Sequence, residues 1–515
     1  MSPLPASRPV RVRAALGLLA LALGAGCTRA PAGDRLVITL PAGPFTIAPE
    51  SAGEEFSISI LSNVYESIVD LGPDLVLRPG LAENWQNPDD STWVFALRPG
   101  ARWHDGQPVR ASQVIESLER TRHDPRSRRR IELAAVERME APDDHTVVVR
   151  TSEPLGHLAN RLANVPIWRP GARPEDPALG SGPYRVRAWT PGGDTTLQAF
   201  DGYDGGHPTL REVLFRAVPE AAQRMRLLRA GDVQLVVDAP PDEMGALEED
   251  RQLMGVSRKG ARVVFLSVDC ARPATPYVDA PRNPFADVRV RTALALAIDR
   301  DALVRGPLRR LASTVDQVVG PEVFGYHDGL APVSHDPQRA RALLAEAGWP
   351  DGFAVDLDYP TGKYRGAELV TTELARQLLP VGIRLRLRPQ PPEAFFARLQ
   401  SRDTSLYLLG WIGTSGDAGP SYEYLLHTSA GGFGHDNAGG YSNPEVDRLV
   451  EQARHLGPVD RLPLLRRVAE IVHRDKPVVP LYRAADVYAL DRRLEFAPRL
   501  DRRIRAAEIR WRTGI

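Results

Sequence analysis

The chain has 515 residues, 43% of them hydrophobic, which is enough to bury several cores, and a usual domain size of ~100–200 residues gives about three domains. Lys+Arg and Asp+Glu both number 65, so the formal charge is zero, and that balance gives no electrostatic reason to bind nucleic acid or an anionic membrane surface. The basic residues are almost all arginine, with Lys259, Lys363 and Lys476 the only lysines, a compositional bias that carries no function.

The first 26 residues read as an export signal. Arg8, Arg11 and Arg13 precede an apolar run from Ala14 to Ala25 that is too short to cross a bilayer, for which ~20 residues are needed. Gly24, Ala25 and Gly26 lead into Cys27, which resembles a lipoprotein cleavage site where the new N-terminal cysteine is lipidated; the departure is Gly24, where such sites usually carry Leu. An ordinary cleaved signal with an incidental Cys27 is the alternative. Residues 27–33 then form a short polar spacer to a membrane anchor. With Cys27 so used, Cys270 has no partner within the chain, and the exported body relies on packing rather than disulfides. Cys270 follows FLSVD, a strand by pattern, which predicts a buried, inert thiol.

Further along, RLVITL from Arg35 is an apolar run expected to open the fold as a strand. Gly182-Pro183-Tyr184 punctuates a return into strand-like RVRAW. Asp336-Pro337 predicts an N-cap with Pro in the first turn, Ala340, Leu343, Leu344 and Ala347 follow at helical spacing, and Gly348 stops the helix. Strict alternation in IRLRLRP from Ile383 predicts a strand with one buried face, and Asn443-Pro444 opens another helix with Val446, Leu449 and Val450 on one side. Pro477 to Tyr482 is again strand-like. Helices alternating with strands in the second half argue α/β layers.

Enzymatic motifs are missing from the sequence: there is no G-x-x-x-x-G-K-[ST], no H-E-x-x-H and no clustered CxxC. His104 beside Asp105 is the one arrangement that suggests acid–base chemistry. Its setting, Trp103-His104-Asp105-Gly106 between a strand and a helix opening near Ser112, predicts instead a turn in which Gly106 takes positive φ.

Several separated blocks carry a family resemblance: AENWQNPDDSTWVFALRPGARWHDGQPVRASQVIESLER (Ala82 to Arg120), GSGPYRVRAW (Gly180 to Trp189), FDGYDGGHPTLREVLFRAVPE (Phe200 to Glu220), LLRAGDVQLV (Leu227 to Val236), FADVRVRTALALAIDRDALV (Phe285 to Val304), GGYSNPEVDRLV (Gly439 to Val450) and DKPVVPLYR (Asp475 to Arg483). In this order they resemble the family 5 extracellular solute-binding proteins, the oligopeptide, dipeptide and nickel receptors of bacterial ABC importers. The resemblance implies an α/β periplasmic-binding-protein fold of two hinged lobes, with an extra domain inserted in the first. The divisions are domain I from residues 34–57, 178–265 and 478–515, domain II over 58–177, and domain III, the ligand-binding lobe, over 266–477. It further implies a non-enzymatic, cofactor-free, monomeric receptor at the outer cell-membrane face or in the periplasm, anchored through Cys27, that passes a short peptide to permease subunits. An opine, an oligosaccharide or a nickel chelate is the alternative solute, and a periplasmic sensor or chaperone the alternative role.

By the same resemblance, the glycine-rich segment GWIGTSGDAGPSYEY, Gly410 to Tyr424, lines the cleft between lobes. Trp411 offers a flat apolar face, while Gly413, Thr414 and Ser415 leave backbone groups for an extended ligand. Peptide-binding relatives carry, three residues after the Trp, an Asp that pairs with the peptide ammonium, because a charge closed into a cleft must be paired. Here that position is Thr414. Either Asp417, or Glu54 and Glu55 after the first strand, supplies the missing charge, or the solute has no free amino terminus. His435 lies where nickel-binding relatives use a His, but one imidazole without companions is no ligand set.

Overall fold

The computed structural model describes residues 33–171 and 179–512. The leader and Cys27, with the lipidation expected there, lie outside the described residues.

One sheet of eleven strands runs through both lobes, ten in a continuous order and the eleventh, Ala312–Thr314, paired beside Val478–Asp491. Its order in the second lobe is Ile383–Gln390, Phe353–Pro360, Leu406–Ile412, Leu253–Val268 and Val478–Asp491, continuing in the first with Leu235–Val237, Arg35–Leu40, Glu212–Ala217, Thr195–Ala199 and Tyr184–Trp189. Arg35–Leu40 is parallel to both its neighbours, so both its faces are covered and its residues alternate between two cores. Leu36 and Ile38 join Phe215 and Tyr488, whereas Val37 joins Leu214, Met225 and Val236. The second lobe repeats the plan, with Leu266, Val355 and Leu357 on one face and Phe265, Tyr407 and Leu409 on the other.

Leu253–Val268 and Val478–Asp491 belong to both lobes. Leu253–Lys259 pair with Ala485–Asp491, and Val263–Ser267 with Val478–Arg483, with a register shift between Lys259 and Val263. Such an irregularity bends a strand pair locally, and it falls where one lobe gives way to the other. A Cβ on Gly260 would lie 2.7 Å from Asp486 Oδ2 and 3.1 Å from the Ala484 carbonyl oxygen, so no larger residue fits this hinge without a shift. Both strands run well beyond the apolar stretches that announced them, because their polar halves (Ser257, Arg258, Lys259, Asp486) find ladder partners only in the folded sheet.

A separate antiparallel sheet, Ala82–Asp89, Thr92–Leu97, Thr146–Thr151 and Val136–Glu140, packs beneath the helix Ala111–His123 around Phe95, Val114, Leu118, Val147 and Val149. His104 acts in the turn before that helix: its Nδ1 accepts from the Gly180 N–H at 3.2 Å and its Nε2 lies 3.0 Å from the Gly182 carbonyl. Gly106 has φ +85°, and the residues that suggested acid–base chemistry hold two chain segments together.

The helices expected from their caps are present. Asp336 accepts from the Arg339 N–H ahead of Pro337–Glu346, and Asn443 from Glu445 and Val446 ahead of Pro444–Arg454. Cys270 is half-buried, and burial pushes its thiol up to about 11, which suppresses the thiolate. No described helix is long and apolar enough to cross a membrane.

Candidate functional site

The strand Leu406–Ile412 ends in the glycine-rich loop, and the helix Ala418–Leu425 begins as the loop ends. The Trp411 ring is half-buried; its Nε1 donates to Ser421 Oγ at 3.0 Å and it meets Tyr424 edge-on at 6.3 Å. Gly413 is buried, and Thr414 is exposed. Gly416 has φ +70°, and a Cβ there would lie 2.2 Å from the Leu75 carbonyl of the first lobe. The loop therefore approaches the opposite lobe backbone to backbone. Asn160 donates to the Ser415 carbonyl at 2.8 Å and Asn164 to that of Thr414 at 3.5 Å, so the first lobe already reads loop carbonyls through side-chain amides.

Asp417 is not free to meet a ligand. Its carboxylate caps the helix by accepting from the Gly419 N–H at 2.7 Å and takes both Arg461 guanidinium nitrogens, at 2.7 and 2.8 Å. Burial raises its carboxyl and outweighs the opposing pull of Arg461. A peptide ammonium would have to displace a bidentate guanidinium. Beside it, Glu423 receives Arg161 Nη2 and lies 3.3 Å from His157 Nε2, and Arg161 also donates to the Tyr424 hydroxyl at 3.1 Å. Burial alone would raise Glu423; Arg161 and His157 together hold it well below the usual range. These partners sit 262 residues apart in Arg161 and Glu423 and 44 apart in Arg461 and Asp417, a spacing with no local pattern to reveal it.

Glu54 is exposed and accepts from Ser57 Oγ at 3.1 Å in the first turn of the helix Glu55–Leu61. Glu55 ties that helix to the hinge, pairing with Arg262 at 2.8 Å and Arg502 at 2.7 Å. Arg502 in turn contacts Asp238 and Asp486, both at 2.7 Å. Glu55 thus belongs to an ion network at the hinge, whereas Glu54 faces solvent.

A pocket open to solvent lies against the helix Glu55–Leu61. Ile58, Leu61 and Tyr65 give it an apolar side, and Ser62, Glu66, Arg129, Asn164, Arg503 and Arg505 a polar one. Half of its lining is polar, with four charged side chains, Glu66, Arg129, Arg503 and Arg505. Asn164 couples it to the loop, since its Oδ1 accepts from Arg503 at 3.1 Å while its amide reaches Thr414. Trp411, Gly413, Ser415, Asp417, Glu54 and Glu55 do not line this cavity. Sequence reasoning missed Arg129 and Arg503, which sit in ordinary arginine-rich stretches and come to line one pocket only through the fold.

His435 packs against Tyr424 at 4.4 Å and pairs with Asp436 at 3.0 Å, and among the described residues no group of three His, Cys, Asp or Glu is placed to hold a metal ion.

The profile of the bacterial extracellular solute-binding proteins, family 5, matches residues 76–433. The chain belongs to this family. It is 25% identical over 483 residues to the glutathione-binding protein GsiB of Salmonella typhi, covering 90% of this chain and 92% of the relative. Among solved structures it is similar to CtaP of Listeria monocytogenes, an ABC transporter substrate-binding protein, with a TM-score of 0.82, 21% identity and coverage of 93% and 99%. The ABC transporter-associated periplasmic binding protein DppA of Helicobacter pylori, in complex with the peptide STSA, superposes with a TM-score of 0.77 at 20% identity, covering 93% and 98%. As a family 5 protein the chain is a substrate-binding component of an ABC transporter, of two-lobed α/β architecture.

Proposed function

We propose that this protein captures a short peptide between its lobes and delivers it to the permease of an ABC importer, without altering it chemically. The observation that carries the reading is the glycine-rich loop of the second lobe meeting Leu75, Asn160 and Asn164 of the first. The relatives named for glutathione and for a bound peptide support it. Trp411, Gly413, Thr414 and Ser415 would form the wall that moves with the second lobe, and Glu54 and Glu55 lie at the helix against the first. With Asp417 held by Arg461, the amino terminus receives no side-chain clamp from this loop. Closure would bend the shared strands near Gly260, since hinges need only a few residues that absorb backbone change. We further propose the threefold division with the insert at 58–177, a monomeric state, and an anchor at Cys27.

Isothermal titration with a tripeptide library and its N-acetylated counterparts tests the reading. Saturable binding that survives acetylation is expected; loss on acetylation would restore an ammonium clamp, and no binding by any peptide would remove the peptide assignment. For the anchor, Cys27→Ala is expected to move the protein from the membrane to the soluble fraction, and a wild type already soluble would refute it.

A further inference from the structure

The whole chain carries no formal charge, yet one stretch of the first lobe is strongly unbalanced. From Arg120 to Arg130 there are six arginines and a histidine against one carboxylate, Asp124. The fold decides which of these charges are spent. Arg120 lies over the Trp168 ring at 4.3 Å, and Arg126 takes Asp124 through two bonds of 3.1 and 2.9 Å. Glu119 is shared, 3.4 Å from Arg122 and 3.1 Å from His123. Arg129 lines the pocket under Glu55–Leu61. Arg128 and Arg130 are exposed, and neither makes an ion pair or a side-chain hydrogen bond among the described residues.

Arg122, His123, Arg128 and Arg130 line one open groove whose lining holds no carboxylate, and Ile131, 38% exposed, lies in it with them. The negative end of the helix Ala111–His123 accounts for Arg122 and His123 in its last turn; Arg128 and Arg130 lie beyond that turn and need another reason. The stem of Arg128 rests on the backbone of Gly53, where a Cβ would fall 2.4 Å from its Cδ, which restricts where its guanidinium points. Guanidiniums grip phosphate oxygens through paired N–H donors, and basic side chains with an apolar neighbour suit a surface that rests on anionic headgroups. A substrate-binding component of an ABC transporter works beside a membrane. We propose that this groove is a docking face for an anionic phospholipid surface, with Arg128 and Arg130 receiving the phosphates. The attraction reaches only about a Debye length, ~10 Å at 0.1 M salt, so it orients a body already close to the membrane. It uses residues apart from the glycine-rich loop and holds whichever solute the protein takes.

The test uses the chain from residue 28 onward, which holds every described residue and lacks the apolar leader and Cys27. It is sedimented with phosphatidylglycerol or phosphatidylcholine vesicles at low ionic strength. Binding to phosphatidylglycerol only is expected, and it is expected to disappear as salt is raised. The double variant Arg128→Glu, Arg130→Glu is expected to bind about tenfold more weakly or worse. A charge-matched control, Arg251→Glu with Arg310→Glu, reverses two exposed arginines elsewhere and is expected to bind as the wild type does. No binding by the wild type, equal binding to both vesicles, full binding by the reversed variant, or the same loss in the control would overturn the inference. Should the reversed variant not fold, Arg128→Gln with Arg130→Gln carries the test, and unweakened binding there would overturn it.

Discussion

Two groups of buried charges, both within the field of Glu132, behave oppositely. Between the lobes, Arg161, Glu423 and His157 on one side and Asp417 with Arg461 on the other are matched charge for charge, and all are at most 5% exposed. At the pocket, half-buried Arg129 makes no ion pair or side-chain hydrogen bond among the described residues. Burial penalises both groups; in the first, Arg161 and His157 more than offset it at Glu423, whereas Arg461 only partly offsets it at Asp417. Matched charges fix the loop and the lobes.

Breaking the matched set gives the largest expected effect. Glu423→Ala leaves Arg161 buried without its carboxylate and is expected to cost about 3–5 kcal/mol. Because the pair spans the lobes, small-angle scattering is expected to show expansion alongside a lower denaturation midpoint. The double variant Arg161→Met, Glu423→Leu is expected to recover most of the loss, since replacing both partners removes the uncompensated charge. The sign with pH follows from the depressed Glu423 carboxyl: its contribution is full above the ordinary carboxylate range and is lost as pH falls through its folded value. A scattering profile unchanged in Glu423→Ala would show that the pair does not hold the lobes together.

Asp417→Asn keeps the shape but removes the charge that Arg461 grips, and is expected to cost about 1.5–3 kcal/mol, the range for hydrogen bonds to charged groups. Equilibrium denaturation measures it. If peptide affinity fell in this variant while stability held, Asp417 would be a ligand anchor and the contrast between the two groups would blur.

Trp411→Ala tests whether the loop meets the solute at all. The protein is expected to remain folded and to lose about 1–3 kcal/mol of binding, the range for a large apolar side chain. Calorimetry on the folded variant checks it, and full affinity would place the solute wholly on the first lobe's side.

The smallest effect is expected at the hinge and has the opposite sign. Asp486 lies 2.7 Å from Arg502 Nε, but its Oδ2 is buried without a hydrogen-bond partner, and burial pushes its carboxyl up to about 6. A carboxyl raised in the folded state destabilises the fold above that value, and the penalty fades as pH falls from about 6 towards 4, where the folded form takes up its proton first. Asp486→Asn is therefore expected to stabilise the protein at pH 7 by on the order of 1 kcal/mol after the lost Arg502 contact is set against it, and to change little at pH 4. Melting curves at both pH values check the sign; destabilisation at pH 7 would show that the Arg502 contact outweighs the cost of burying the charge.

Much of the fold was legible in local pattern. Asp336-Pro337 and Asn443-Pro444 announced their helices because cap chemistry is local, and Ile383–Gln390 announced its strand because alternation is local. The long hinge strands were only half legible, since Ser257 to Lys259 and Ala485 to Val487 look like loop until they pair with each other. Around the candidate site, the strand and its glycine-rich loop were legible, but the ion pairing of the loop's residues was not. The glycine-rich loop was identified, yet the state of its acid was not: Asp417 read as an available anchor, while the fold fills it with Arg461.

The family and the α/β layering are written in contiguous residues whose conformational preferences act over a few positions. Only the tertiary structure decided which charges are spent and which are left. Pairing depends on which side chains arrive within hydrogen-bond distance after burial, and Arg161 reaches Glu423 from 262 residues away while Arg129 reaches nothing among the described residues. Among so many arginines no local rule separates the two cases; desolvation makes the difference matter, and the fold alone places the partners.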